Sequence, residues 1–250
     1  MSEQPDPAEL PEDVALLWGL RSSTRRGPKP TLSVDDITKA AVDLADAEGL
    51  AAVSMARVAQ KLGNSTMALY RHVKSKDELL LLMADAALEE PPEFPPDERD
   101  WRAALTTWSN GVLAAIRRHA WWVQIPTKGP PIGPHNLAWF DRALSTFAHT
   151  SLREDEKVQL VMSLLMYIHG EVWLGTQLPE QGAQFVTDYG TALGAVVDPR
   201  KLPSLANVVA AGVFTVEPGE IVDSGDDWDF GLNVVLDGIG AYIARREGSA

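Results

Sequence analysis

The 250-residue chain contains no cysteine. That excludes disulfides, thiolate metal sites and a cysteine nucleophile. It is also short of positive charge, with 22 Lys and Arg against 35 Asp and Glu, for a net charge of −13. No unbroken run of about 18 apolar residues occurs, so no membrane span is expected. The N-terminus is acidic and proline-containing, unlike the basic start and apolar middle of a signal peptide. A cytoplasmic protein is expected. Sequence signatures of catalysis are missing too: there is no HExxH, GxSxG, P-loop or GxGxxG. His72, His119, His135, His149 and His169 form no i,i+4 pair. No enzyme activity, metal or cofactor is expected. Hydrophobic residues make up 45%, enough for a substantial core in one large or two modest domains.

The charge is unevenly spread. Residues 21–80 hold ten bases and seven acids, a balance of +3, which leaves −16 for the remainder. Such asymmetry points to an end that faces a polyanion and an acidic body.

Within the basic segment, residues 53–79 read as helix, tight turn, helix and a third helix start. Ser54 can cap the first, and Val58, Ala59 and Leu62 give it an apolar face. Gly63 suits the left-handed position after a helix. Ser65 or Thr66 can cap a short second helix through His72, and Ser75 opens the third, with Asp77 and Glu78 in its first turn. This is the spacing of a DNA-binding helix-turn-helix, whose second helix enters the major groove. The expected DNA-facing set on these helices is Ser54, Arg57, Asn64, Ser65, Thr66, Met67, Ala68, Tyr70, Arg71, His72 and Lys76, with Lys74 nearby as a further donor. An ordinary surface hairpin with a solvated basic side would give the same pattern.

The strings Val58-Ala-Gln-Lys-Leu-Gly63, Ala68-Leu-Tyr-Arg-His72 and Lys74-Ser-Lys-Asp-Glu-Leu79 resemble the DNA-binding domain of the tetracycline-repressor (TetR) family. The resemblance is specific over residues 31–82 and includes the preceding helix, 33–48. Asn64 departs from it, because the residue after the turn glycine is usually apolar in that family. The resemblance implies an all-α homodimeric repressor that binds a palindromic operator and carries a small-molecule effector pocket in its C-terminal part. It also makes the helix beginning near Ser75 the lever through which the body moves the reading helices.

The chain divides accordingly. Residues 1–30 form a flexible extension, with a short apolar patch at 13–20 that fits one or two helical turns and then a basic arm, RSSTRRGPKP. Arg25, Arg26 and Lys29 of this arm are candidates for minor-groove or phosphate contact; a solvated linker is the alternative. Residues 31–82 are the DNA-binding domain, with Ser33 capping its first helix and Asp36 completing the box. PPEFPPDE, 91–98, is a linker, and 95–250 is a helical ligand-binding and dimerisation domain. In it, helices are expected from 100, over 135–148, 154–178, 199–214 and 227–246, with loops at 126–134 and 217–227. From the resemblance, the helices at 154–178 and 227–246 are the expected dimer interface, with Gly231, Gly238 and Gly240 allowing close approach; ordinary intramolecular core is the alternative.

Seven of the eight tryptophans follow residue 90. An aromatic helical body fits a hydrophobic or aromatic effector, although large aromatics also serve as plain core. The candidate pocket residues are Trp108, Trp122, His135, Asn136, Trp139, Tyr167 and His169. Two other functions satisfy the sequence less well: a helical small-molecule-binding protein with a non-functional helix-turn-helix, and an enzyme with an unrecognised site.

Overall fold

A computed structural model describes residues 10–21, 32–95, 99–126, 132–177, 182–215 and 224–248. Among these residues the fold is all-α. Eleven helices follow in order: α1 (Glu12–Leu17), α2 (Val34–Glu48), α3 (Met55–Lys61), α4 (Thr66–Tyr70), α5 (Lys76–Ala86), α6 (Trp101–Arg118), α7 (Pro134–Ser145), α8 (Glu154–Gln177), α9 (Gly182–Val196), α10 (Pro203–Ala210) and α11 (Ser224–Glu247). Short 3-10 turns lie at Leu50–Ala52 and Ala120–Gln124.

Local sequence chemistry sets the N-terminal boundaries. Ser33 and Asp36 form a reciprocal capping box at α2, and Gly49 ends the helix at φ +80. The apolar stripe Ile37, Ala40, Ala41, Leu44 and Ala45 faces a core shared with Val53, Val58, Ala59, Leu69, Val73, Leu79 and Met83 from α3 to α5. Two residues from outside this segment complete that core: Leu16 of α1 and Trp121 of the 3-10 turn after α6. The chain accordingly forms one compact unit over 1–172 and 238–250, and a second over 173–237.

In the first unit, Leu105, Trp108, Val112 and Ile116 of α6 are buried, as are Trp139 and Ala143 of α7 and Val161, Leu164 and Ile168 of α8. Trp101 stacks on Phe147 with ring centroids 6.2 Å apart. A Cβ at Gly240 would lie 3.4 Å from the Trp101 ring, an ordinary packing distance, so this contact does not require glycine. Gly238 has open space around it.

By length and mean hydropathy, Glu154–Thr176 of α8 would pass for a membrane span. The charged and polar side chains spaced along it kept it from reading as an apolar run. Val161, Leu164 and Ile168 pack into the chain's own core, while Val158, Met166, Trp173 and Leu174 are exposed.

The second unit contains an element the sequence reading missed. α9 was not expected, because Gly190 and Gly194 within it weaken the helical signal. Phe185 and Tyr189 stack on it, and Tyr189 meets Phe214 edge-on at 5.3 Å. Of the expected helix at 199–214, only Pro203–Ala210 is α-helical. The expected loop at 217–227 is shortened, since α11 starts at Ser224; residues 217–223 lie outside the described residues.

Candidate functional site

Serine caps fix the frame of the reading helices. Ser54 Oγ accepts from Arg57 N–H at 3.3 Å, Ser65 Oγ from Ala68 N–H at 3.2 Å and Ser75 Oγ from Glu78 N–H at 3.1 Å. Gly63 turns the chain at φ +64, where a Cβ would be strained. Asn64 donates its side-chain amide to Leu62 O at 2.9 Å, and its backbone N–H to Ala59 O at 2.9 Å. The turn is therefore closed by a local polar bond, which is how it accommodates Asn in place of an apolar residue.

α4 has two opposite faces. Leu69 is fully buried, and Val73 just beyond the helix is buried with it, so together they seat the element on the core. Asn64, Ser65, Met67, Tyr70, Arg71 and Lys76 are exposed, and Thr66, Ala68 and His72 are half-buried. Met67 is 71% exposed, a large apolar side chain with little covering it. Ser54 is half-buried, with its hydroxyl committed to the cap. Arg57 is exposed, and its Nη2 donates to both Glu48 carboxylate oxygens, at 2.7 and 2.9 Å. Arg25, Arg26 and Lys29 lie outside the described residues.

The start of the arm is anchored. Arg21 places both terminal nitrogens on Glu78, at 2.7 and 3.0 Å. Burial by itself would push the Glu78 carboxyl up. The Arg21 hydrogen bond, the Lys74 backbone N–H at 2.7 Å and the charges of both bases outweigh it and hold the group below the usual carboxylate range. Lys74 Nζ also reaches Glu12 at 3.1 Å. Trp18 Nε1 donates to Ile132 O at 2.9 Å, so the α1 segment touches both α5 and the approach to α7.

Neither of two clefts among the described residues is lined by any of the seven candidate pocket residues. One cleft of about 230 Å³ is lined by residues that include Phe94, Arg142 and His149; a second of the same size lies in the other unit, by Thr187 and Phe214. Trp108 and Trp139 are core: Trp108 Nε1 donates to Trp139 O at 2.9 Å, and Trp139 Nε1 to Leu88 O at 2.9 Å. Trp122 Nε1 donates to Ala84 O at 2.7 Å, and His169 meets the Trp122 ring edge-on at 5.9 Å. Burial pushes the His169 imidazole down from its ordinary value. Tyr167 is half-buried. His135 and Asn136 begin a helix as expected, and both turn to Asp85.

Several participants were missed. Nothing in the local sequence marks Asp85 or Asp46, yet each is bound by side chains far along the chain. Asp46 Oδ1 accepts from Trp121 Nε1 at 2.6 Å and lies 2.8 Å from His119 Nδ1. Ser109 Oγ is fully buried and finds no hydrogen-bond partner among the described residues. A buried orphan hydroxyl costs about 1–3 kcal/mol unless something pairs with it. Its position on the inner face of α6, one residue from Trp108, was the available signal.

Known proteins agree with this arrangement over most of the chain. Residues 94–243 match the family described as tetracyclin repressor-like, C-terminal domain, and residues 37–83 match bacterial regulatory proteins, tetR family. The HTH-type transcriptional repressor DrrR1 of Streptomyces coeruleorubidus is 37% identical, over 97% of this chain and 90% of its own. The crystal structure of apo ActR from Streptomyces coelicolor superposes with a TM-score of 0.72 at 23% identity, covering 89% of this chain and 100% of ActR. ActR in complex with actinorhodin gives 0.72 at 24% identity, covering 86% and 98%.

Proposed function

Because the chain belongs to the tetracycline-repressor family and is a ligand-responsive, DNA-binding transcriptional repressor, we propose that it acts in the cytoplasm as a homodimer on a near-palindromic operator. Residues 31–82 read the DNA, and 95–250 hold the effector and the dimer interface. The observation that carries this reading is the two-faced α4, with Leu69 sunk in the core and Met67, Tyr70 and Arg71 left to solvent.

In this proposal α4 lies in the major groove. Asn64, Ser65, Thr66 and Ala68 approach the base edges, and Met67 offers an apolar tip to a thymine methyl. Tyr70, Arg71, His72 and Lys76 bind phosphates or guanine edges, Ser54 and Arg57 flank the backbone, and Arg25, Arg26 and Lys29 follow the adjacent groove. Exposed apolar side chains on α8 (Val158, Met166, Trp173, Leu174) and on α11 (Phe230, Val234) support a second copy covering these helices. Two-fold symmetry then places half-sites about one helical turn, or a multiple of it, apart.

The effector is a hydrophobic or aromatic small molecule bound among Trp122, Tyr167, His169 and the orphan hydroxyl of Ser109, with Trp108, Trp139, His135 and Asn136 around them. It releases DNA by preferring the non-binding conformation. A shift from mostly bound to mostly free needs about 10²- to 10⁴-fold differential affinity.

Selection of bound duplexes from a random pool, at near-physiological salt, tests the reading. A palindromic consensus is expected, and actinorhodin is the first effector probe to add, since ActR binds it. If no sequence is enriched with or without the probe, the operator-binding reading fails.

A further inference from the structure

The C-terminal end of α5 is held by donors that come almost wholly from the effector-binding body. Asp85 is 5% exposed and points at the start of α7. Its Oδ1 accepts from Asn136 N–H at 3.0 Å and Asn136 Nδ2 at 2.9 Å. Its Oδ2 lies 2.9 Å from His135 Nδ1, where the Nδ1–H tautomer donates, and 3.4 Å from His135 N. The fit leaves no room at the preceding residue: a Cβ on Gly133 would sit 2.1 Å from Asp85 Oδ1. Around this bond the neighbouring carbonyls of the same helix end are taken as well. Ala84 O accepts from Trp122 Nε1, and Leu88 O and Glu89 O share Trp139 Nε1 at 2.9 and 3.1 Å. Glu89 itself takes φ +49, a conformation that costs a non-glycine residue energy unless its surroundings impose it.

Three of the proposed effector residues, Trp122, His135 and Asn136, thus spend polar groups on α5, and Trp139 does so just beyond its end. We propose that Asp85 is the positioning residue that fixes α5, and with it α4, against the body, and that an effector releases DNA by claiming the donors of Trp122, His135 and Asn136 that now serve α5. The inference rests on the repressor reading above and supplies its coupling chemistry. A buried carboxylate suits this role. Its acceptors are satisfied in one arrangement only, and deprived of two or three donors it must leave the interior. The joint therefore has two states instead of a continuum.

The test uses the full-length chain. Its natural lack of cysteine allows spin labels at Asp77→Cys on α5 and Asp141→Cys on α7, both exposed. One narrow distance is expected in the parent and a shifted or broadened one in Asp85→Asn, with Trp122→Phe as the second variant in case the first folds poorly. Operator affinity is then measured on the native half-site spacing and on spacings one base pair longer and shorter, beside thermal midpoints. Asp85→Asn should bind the native spacing about tenfold more weakly and discriminate less among spacings. An unchanged label distance in both variants overturns the proposal. So does an affinity loss that is equal at every spacing and tracks the loss of thermal stability, since that is what a merely structural residue would give. Should the parent bind no operator, the repressor reading falls, and the label distances still decide the role of Asp85.

Discussion

Tyr242 Oη donates to Glu156 Oε1 at 2.7 Å, tying the last turns of α11 to the first turn of α8. Glu156 also accepts from Arg153 N–H at 2.9 Å, and Arg246 Nε lies 3.3 Å from its Oε1. The backbone N–H of Arg153, then the phenol, then the two guanidinium charges hold the Glu156 carboxyl below its ordinary range. The phenol in turn is held above its own. A carboxylate lowered in the folded state contributes stability that is complete above its unfolded value and lost as pH falls through the folded one. Tyr242→Phe removes one of the bonds that favour the ionised form. Its acid unfolding midpoint is expected at higher pH than the parent's, with little change at neutral pH in far-UV circular dichroism.

His169 predicts a second pH dependence. Burial against Trp122 lowers the imidazole in the folded chain, so the unfolded chain binds the proton first as pH drops. Stability is then full above about pH 6.5 and declines as pH falls below that value. His169→Leu should flatten this limb in thermal melts between pH 7.5 and 5.5. An identical slope in the variant would remove His169 from the account.

Arg71 and Lys76 separate two modes of DNA contact. Lys76→Ala should weaken all duplexes about equally and reduce the slope of log affinity against log salt by about one. Arg71→Ala should weaken operator binding, by about 1–3 kcal/mol if it pairs with a guanine edge, and then relax the sequence preference at one position. Titrations on the selected operator and on single-site variants of it distinguish the two.

Met67→Ala leaves folding untouched, because the side chain is exposed, and should relax a thymine preference in the half-site. Leu69→Ala, one turn inward, should instead cost about 2–5 kcal/mol of stability through the cavity it opens. Urea unfolding of the pair, run beside operator titrations, assigns α4 its inner and outer faces.

What the sequence disclosed follows from range. The caps at Ser33, Ser54, Ser65 and Ser75 span three residues each, and all four form as read. Gly49 and Gly63 mark their turns because only the local backbone decides them. Asp85 with Asn136, and Asp46 with Trp121, join residues 51 and 75 positions apart, and no local pattern distinguishes those acids from solvated ones. His135 and Asn136 were singled out for the right reason, polar groups at a helix start. Their partner Asp85 lies 50 and 51 positions away, beyond the reach of a local pattern. α9 escaped because Gly190 and Gly194 interrupt its C-terminal half, and glycine lowers helix propensity.

Trp121 belongs to the same core as Ile37, Leu44 and Met83 although it lies in the turn after α6. The boundary that sequence draws between reader and body is therefore not a seam along which parts can be exchanged. A hybrid regulator built by grafting residues 31–82 onto a foreign body would arrive with an empty socket where the indole sits and with Asp46 stripped of a donor. To keep the reader's own shape, the graft must carry the 119–125 turn with it, or the recipient must offer an indole at the same place.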